Sequence, residues 1–198
     1  VYIQQSVDAA AAMGADIIVV HAGSAAKISR EEAMRLAADT LYKALETVNN
    51  PAGVRIGVET MGKLNQLGTI EEDIELCKLG GTLSPVVDFG HVNCRELGAA
   101  FKTKDDYRRV FYRIGETLGD SYARDLHCHF SKIEYTDKGE KKHLTFKDDK
   151  FGPPYEPFAE AIAEYGLTPS IVCESDGTQA EDALALKTLT EQLLGTNP

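Results

Sequence analysis

The stretch VRIGVETMGKLNQLGTIEEDIELC, residues 54–77, contains one complete strand-and-helix unit. Its apolar run Val54–Val58 is typical of a buried strand, and Glu59 follows directly. The pattern Thr69-x-x-Glu72 is a capping box, which predicts a helix with an apolar face after it. The stretch therefore predicts a buried β-strand and a helix, with a carboxylate at the carboxyl end of the strand.

The same order of elements recurs along the rest of the chain. Four further apolar runs are typical of buried strands: Ile17–Val20, Val86–Asp88, Leu126–Phe130 and Ser170–Cys173. Helices are predicted from capping boxes at Ser29-x-x-Glu32, Thr103-x-x-Asp106 and Thr178-x-x-Glu181, and from a proline suited to a first turn, Pro157. An opening helix over Tyr2–Met13 is predicted to stop at Gly14. Because parallel crossovers need long connections, this alternation predicts a parallel sheet covered by helices.

Two architectures share this order of elements, an open doubly wound sheet and a closed (β/α)8 barrel. No GxGxxG or Walker-type loop follows the first strand, so the nucleotide-binding open sheets lose their main support. Reactive side chains at the carboxyl ends of several strands, described below, are typical of the barrel. We therefore predict an α/β fold of the TIM type that forms a single domain over residues 1–198.

The predicted barrel is incomplete. Five strand-and-helix units cannot close an eight-stranded barrel, and whole barrels have about 250 residues, against 198 here. We expect the chain to be a fragment of a longer protein or to associate with other material.

Composition limits the setting and the partners of the protein. No stretch approaches 18 apolar residues, so no membrane partner is expected, and no signal peptide is visible. The four cysteines form no CxxC pair, which favours a reducing, cytoplasmic location. The net charge of −10 weighs against non-specific nucleic-acid binding, although bound divalent cations can invert the local field. The oligomeric state is left open.

The strand ends carry side chains that bind metals. Reading each run to its end identifies the same kind of residue every time: His21, Glu59, Asp88, His127 and Glu174. Because the carboxyl ends of barrel strands meet at one rim, these groups repel one another or lose hydration unless a cation lies among them. A set of oxygen and imidazole ligands suits zinc or manganese better than calcium.

The remaining histidines extend this candidate site. His91 lies three positions after Asp88, and His143 lies in a polar loop after the fourth strand. His129 shares a strand face with His127, and its role is evenly balanced between ligand and structural residue. The lysine-rich segment 138–142 within that loop is interpreted as a solvated loop rather than a DNA-binding patch.

Five motifs in order resemble the endonuclease IV family, the zinc-dependent apurinic/apyrimidinic endonucleases with a TIM barrel. His21-Ala22-Gly23-Ser24 is similar to the family's His-Pro-Gly-Ser, and ETMGKLNQLG over 59–68 to its Glu-Asn-Thr-Ala-Gly loop, which ends in Asn-Leu-Gly. Asp88-Phe89-Gly90-His91 matches Asp-Thr-Cys-His at both ligands. The segment 127–132 corresponds to His-Leu-Asn-Asp-x-Lys, and 172–174 to the final strand ending in Glu. The resemblance also implies that three earlier strands are missing.

The resemblance implies up to three metal ions, normally zinc, with manganese as the other candidate. Glu59 would bridge two metals, with His21 on the first. The second would be completed by three ligands, Asp88, His127 and Glu174. His91 and His143 would hold the third, where the family has an Asp two residues before the second histidine. Lys141 stands at that position here, so the third site lacks its carboxylate unless Asp137 or Glu140 replaces it.

The leading functional hypothesis is therefore metal-dependent hydrolysis of DNA at abasic sites, with Glu59 and Glu174 as catalytic carboxylates. Gly62 and Gly68 either permit tight turns or let a phosphate backbone approach closely, and the resemblance favours the second. The rival is a xylose-isomerase-like sugar isomerase or epimerase with one divalent metal, whose two glutamates shuttle a proton. A third hypothesis is a non-enzymatic protein that binds only metal or another protein. Metal count distinguishes the first two, because the isomerase leaves His21 and His143 without a role.

Overall fold

The structure is a computed structural model that describes residues 1–195, so the last three residues of the predicted domain lie outside it. The strands are β1 (Ile17–Val20), β2 (Arg55–Glu59), β3 (Leu83–Asp88), β4 (His127–Phe130), β5 (Lys132–Thr136), β6 (Gly139–Leu144) and β7 (Ser170–Cys173). The helices are α1 (Tyr2–Met13), α2 (Arg30–Thr47), α3 (Ile70–Cys77), α4 (Phe89–Arg95), α5 (Lys104–Leu118), α6 (Asp120–Arg124), α7 (Glu156–Tyr165) and α8 (Gln179–Leu193).

Five strands form one sheet in the hydrogen-bonded order β1-β2-β3-β4-β7, and the registers of β1 with β2, β2 with β3 and β4 with β7 are parallel. Helices alternate with these strands along the chain, so the predicted α/β fold of an incomplete TIM barrel is confirmed. The chain divides into two compact units. The first comprises 1–61 and 65–86, and the second 62–64 and 87–198. The single domain over 1–198 stays a prediction.

The first unit is built on β1, β2 and the beginning of β3. Ser29 begins α2 as expected, because its side chain accepts a hydrogen bond from the backbone N–H of Glu32 at 3.1 Å. The buried residues of α2 recur every three or four positions and form one apolar stripe: Ala33, Ala37, Leu41 and Ala44. The full capping box at Thr69 and Glu72 starts α3.

The second unit has an aromatic core. Phe89 is completely buried, and its ring centroid lies between 4.6 and 6.2 Å from five other aromatic rings: Phe101, Tyr107, Phe111, Phe130 and Phe158. Burial of one phenylalanine stabilises a fold by about 1.5–3 kcal/mol. Phe89 directly follows Asp88, and Phe130 directly follows His129. The core therefore holds the backbone of two candidate ligand positions.

The segment predicted to be a solvated loop over 138–142 is instead part of an antiparallel hairpin, so that prediction was wrong. Strands β5 and β6 pair from Lys132 with Leu144 to Thr136 with Gly139. The sequence GEKKHL of β6 has no hydrophobic alternation, and for this reason its pattern did not indicate a strand. Ile133 on β5 is completely buried and packs toward Gly90 of α4, which seats the hairpin on that helix.

Two expectations from composition, on membrane-spanning helices and on the cysteines, can be compared with the described residues. Within 1–195, no helix has the length and apolar character needed to cross a bilayer. All four cysteines are buried and free of disulfides. Burial raises the pKa of Cys173 to about 11 and that of Cys94 to about 12, with help from nearby carboxylates. These two thiols are therefore protonated at neutral pH and are poor nucleophiles.

Candidate metal centre

His21 and Glu59 form a pair in the first unit. His21 follows β1 directly and Glu59 is the last residue of β2, so both lie at the carboxyl ends of neighbouring parallel strands, as predicted. The Nε2 atom of His21 is 3.2 Å from Oε2 of Glu59. The His21 side chain is 59% exposed and the Glu59 side chain only 4%, so the imidazole stands on the solvent side of a buried carboxylate.

Hydrogen bonds join the loops that carry this pair. The backbone N–H of Ala25 donates to the carbonyl oxygen of Asn65 at 2.8 Å, and the N–H of Leu67 donates to that of Gly23 at 3.0 Å. These contacts link the chain after β1 to the chain after β2. The positions of His21 and Glu59 are therefore set together.

An ion pair anchors the second of these loops. The Arg30 guanidinium donates to Glu72, with Nη2 at 2.7 Å from Oε2, and to the carbonyl oxygen of Gln66 at 3.0 Å. Burial by itself raises the pKa of Glu72, but hydrogen bonds from Arg30 and from the N–H groups of Thr69 and Gly68 outweigh it and lower the pKa to about 2. Glu72 is therefore ionised at neutral pH and holds the loop end against α3.

Three candidate ligands meet in the second unit. Asp88, His129 and Glu174 each offer one ligand atom, and these atoms lie within 4.8 Å of one another. The Nδ1 atom of His129 is 3.4 Å from Oε1 of Glu174. Asp88 is completely buried, His129 is 6% exposed, and the Glu174 side chain is 36% exposed. The cluster thus opens to solvent on its Glu174 side.

The histidine in this cluster is His129, whereas the sequence analysis assigned the position to His127. Strand β4 begins at His127 and runs on to Phe130, so His127 lies at the amino end of the strand. The two side chains share one face, with ring centroids 5.3 Å apart, and His129 is the one nearer the carboxyl end. The expectation that His127 marks the carboxyl end of its strand was therefore wrong. Among the described residues His127 belongs to neither group of candidate ligands, and its role as a metal ligand stays a prediction.

His91, Glu140 and His143 form a second group in the same unit, also with ligand atoms within 4.8 Å of one another. The Nε2 of His91 is 3.6 Å from Oε2 of Glu140, and the Nε2 of His143 is 3.9 Å from Oε1. On its other side, Nδ1 of His143 is 2.8 Å from the hydroxyl of the completely buried Ser131. Ser131 therefore orients the imidazole toward the group, the role of an outer-shell partner at metal sites.

Glu140, one of the two residues expected to replace the missing carboxylate of the third site, lies beside His91 and His143. The β-bulge of the hairpin leaves Glu140 on β6 opposite Tyr135, and its side chain turns toward the two histidines. Lys141 points elsewhere and forms an ion pair with Glu134, 2.6 Å between Nζ and Oε1. Of the two alternatives left open, Asp137 lies exposed in the hairpin turn and Glu140 takes the place.

Both groups fit a transition-metal ion by the chemistry of their donors. Each combines imidazole nitrogens with carboxylate oxygens, which is the donor set of zinc and manganese sites. Each group also holds one carboxylate of low exposure, 0% for the side chain of Asp88 and 14% for that of Glu140, and a bound cation offsets the cost of burying such a charge. The residues present therefore suit the expected zinc or manganese.

The glycines after Glu59 lie where other parts of the chain approach closely. A Cβ at Gly62 would lie 2.7 Å from Cβ of Glu140 and 2.9 Å from a ring carbon of His91. Gly68 has a φ of 122°, and its Cβ would lie 2.6 Å from the backbone nitrogen of Met61. The tight-turn interpretation fits Gly68, and the phosphate contact expected at these glycines stays a prediction.

The sequence is similar to those of several known proteins. An uncharacterized protein of Methanocaldococcus jannaschii, MJ0133, is 26% identical over 175 residues, which are 88% of this chain and 63% of that protein. A probable endonuclease 4 of Staphylococcus carnosus is 28% identical over 134 residues, 67% of this chain and 44% of that protein. The chain thus spans between 44% and 63% of the length of these relatives.

Solved structures share the fold. One is AsfvAP:AG, with a TM-score of 0.61 and 16% identity, covering 95% of this chain and 67% of that chain. Another is the 3-keto-D-glucoside 4-epimerase YcjR from E. coli in its apo form, with a TM-score of 0.62 and 17% identity, covering 96% of this chain and 68% of that chain. The family model described as Xylose isomerase-like TIM barrel matches residues 2–191. The chain belongs to the xylose isomerase-like TIM barrel family.

Proposed function

We propose that this protein is a metal-dependent phosphodiester hydrolase that acts at abasic sites in DNA. One observation carries the proposal: the second unit holds two separate groups of ligands, Asp88 with His129 and Glu174, and His91 with Glu140 and His143. In the rival hypothesis of an isomerase with one divalent metal, a second complete group has no role. The similarity to a probable endonuclease 4 supports the same assignment.

Each group holds one metal ion, zinc or manganese. His21 and Glu59 are proposed as a further pair of ligands in the first unit, on the basis of their 3.2 Å contact. With that pair the chain has ligands for up to three ions. The ligand set differs from the sequence prediction at two positions, because His129 replaces His127 and Glu140 is added.

When bound, such ions lower the pKa of a water molecule to about 7 and stabilise the leaving oxygen of a phosphodiester. Glu59 and Glu174 are the proposed catalytic carboxylates, which hold metal and accept the proton of the attacking water. Glu174 is suited to this role because its side chain is 36% exposed and can meet a substrate. The hydroxyl of Ser131 keeps the His143 ring turned toward Glu140. The net charge of −10 means that DNA phosphates approach only where bound cations change the local field.

A sugar isomerase or epimerase is the second candidate, and one observation favours it. Asp88, His129 and Glu174 alone make a complete set for one divalent metal. In that reaction Glu174 would shuttle a proton beside the carbonyl of a keto sugar, together with Glu59. His143 and Glu140 would then take no part in turnover.

Metal content and two activity assays test the proposal together. The wild-type protein is freed of metal with a chelator, reloaded with Zn²⁺ and analysed for metal per chain. It is then assayed on a duplex oligonucleotide with one abasic site and on a keto sugar. Two or three equivalents of zinc with cleavage at the abasic site would support the hydrolase. One equivalent with sugar turnover would overturn it in favour of the isomerase.

Two variants sharpen this experiment. Glu140→Gln disables the second ligand group, whereas Glu134→Gln alters a carboxylate of the same hairpin that is paired with Lys141. The hydrolase proposal expects strand cleavage to be lost in the first variant and kept in the second. Glu174→Gln tests the proposed role of Glu174, since activity unchanged by this substitution would mean that Glu174 is not catalytic. No turnover of either substrate by the wild type would support the non-enzymatic alternative.

A further inference from the structure

A short segment after β2 lies along the hairpin like an additional strand. The N–H of Glu140 donates to the carbonyl oxygen of Gly62 at 3.2 Å, and the N–H of Leu64 donates to that of Lys138 at 3.3 Å. Between them, Lys63 forms an antiparallel bridge with Gly139. The segment 62–64 therefore fixes the position of the hairpin backbone at Glu140. Glu140 provides the carboxylate of the second ligand group.

Helix α4 holds the other side of the same segment. Nη1 of Arg95 donates to the carbonyl oxygen of Lys63 at 2.8 Å, and the thiol of Cys94 lies 3.5 Å from the carbonyl oxygen of Gly62. Helix α4 also carries His91. The segment thus contacts both the element that carries Glu140 and the element that carries His91.

Gly62 has no space for a side chain. Its Cβ would lie 2.7 Å from Cβ of Glu140, 2.9 Å from Sγ of Cys94 and 2.9 Å from Cδ2 of His91. Its φ is not in the left-handed region, so space rather than backbone conformation demands glycine here. Two of the three neighbours are candidate ligands. The distance between Glu140 and His91 is therefore set by the backbone of Gly62, which contacts both residues without a side chain of its own.

Gly139 makes the reciprocal contact from the hairpin. Its Cβ would lie 2.3 Å from the carbonyl oxygen of Gly62, and its φ of 92° favours glycine in addition. Two glycines thus face each other where the segment crosses the hairpin. Glu140 comes next in the chain after this crossing, so a displacement of the crossing displaces its carboxylate.

We propose that Gly62 is a positioning residue for the metal site of His91, Glu140 and His143. The inference rests on the proposed function in that it takes this group to bind metal. A methyl group at position 62 would collide with Cβ of Glu140, the thiol of Cys94 and the ring of His91, so we expect it to displace His91 or Glu140. Either movement separates ligand atoms that now lie within 4.8 Å of one another.

The test compares Co²⁺ and Zn²⁺ binding by the full chain in four forms: wild type, Gly62→Ala, Glu140→Gln and Gly115→Ala. Gly115 is a matched control, because it lies in α5, has ordinary φ, and its Cβ would meet only Ala123, at 3.2 Å, and Asp120. Cobalt absorption in the visible range reports the coordination at each site, and elemental analysis after dialysis reports the number of zinc ions.

We expect Gly62→Ala to bind the metal of this site roughly 10- to 100-fold more weakly, the loss typical of outer-shell changes, and to alter the same cobalt band as Glu140→Gln. Gly115→Ala should match the wild type. Wild-type metal affinity and spectrum in a folded Gly62→Ala would overturn the inference, and so would a wild-type protein that binds no metal at this site. Metal binding as expected, without cleavage of abasic DNA, would defeat the proposed function alone.

A second variant covers the case in which Gly62→Ala does not fold. Leu64→Pro removes the N–H that donates to Lys138 and leaves Gly62 unchanged. The Leu64 side chain is 41% exposed, so the change is mild for the core. We expect weaker metal binding at the same site only, and unchanged binding would overturn the inference.

Discussion

Asp88 contacts His91 at two points. Its Oδ1 accepts a hydrogen bond from the backbone N–H of His91 at 2.9 Å, and its Oδ2 lies 3.3 Å from Nδ1 of the same residue. Asp88 is the last residue of β3 and the N-cap of α4, so a single residue ends the strand and begins the helix. The contact turns Nε2 of His91 toward Glu140. One buried carboxylate therefore serves both ligand groups, as a ligand in one and as an orienting partner in the other.

The first prediction follows from this double role. Asp88→Asn should lower the metal content of both groups in the second unit, because it removes a ligand from one and the charged partner of His91 from the other. Elemental analysis after reloading with zinc measures the loss. Asp137→Asn in the exposed hairpin turn is the control and should keep the wild-type content. Loss of only one equivalent in Asp88→Asn would contradict the coupling.

A second prediction concerns the two histidines of β4. His129→Ala should weaken metal binding by at least the roughly 10- to 100-fold that loss of even an outer-shell partner produces, since the ligand itself is removed. His127→Ala, on the same strand face but at its amino end, should change affinity much less. Competition with a chromophoric chelator measures both affinities. The reverse ranking would restore His127 as the ligand and refute the assignment made from the geometry.

The third prediction concerns Ser131. Its hydroxyl lies 2.8 Å from Nδ1 of His143, and Ser131→Ala removes this contact while leaving all three ligands in place. We expect the affinity of that site to fall by roughly 10- to 100-fold with little change in thermal stability of the metal-free protein. Ser121→Ala, at an exposed position of α6, is the comparison. Equal zinc titration curves for the two variants would show that the hydroxyl does not orient His143.

The fourth prediction concerns stability in acid. The pKa of Glu72 is lowered to about 2 in the folded chain, whereas an unfolded glutamate titrates near its ordinary value of 4.5. Its contribution is therefore complete above about pH 5 and is lost as the pH falls toward 2, because only the unfolded state takes up a proton in that range. At pH 7, Glu72→Gln should lower the free energy of unfolding by about 3 kcal/mol.

Urea unfolding at pH 7, 4 and 2.5 measures this contribution. The difference between wild type and Glu72→Gln should shrink as the pH falls. Glu32→Gln removes the partner of Arg35 on an exposed face of α2, and it should show no comparable dependence on pH. A difference of the same size at all three pH values would mean that the charge of Glu72 is not what stabilises the loop.

Local patterns in the sequence were enough to predict the elements of the sheet. Apolar runs and capping boxes involve residues a few positions apart, and so β1, β2, β7 and the start of α2 lie where these patterns indicated. Four strand-end residues follow from the same runs: His21, Glu59, Asp88 and Glu174. In TIM barrels reactive side chains lie at the carboxyl ends of the strands, and this general feature predicted their positions without knowledge of any contact.

Contacts between distant parts of the chain decided the rest. The choice of His129 over His127 depends on where β4 begins, which its pairing with β7 sets. The choice of Glu140 over Asp137 depends on a polar hairpin whose sequence has no hydrophobic alternation and so did not predict strands. The need for glycine at position 62 depends on neighbours 29, 32 and 78 positions away in the sequence. Local sequence determines secondary structure because its hydrogen bonds and apolar faces are local. Which residues form each ligand group is decided only when segments far apart in the sequence pack against one another.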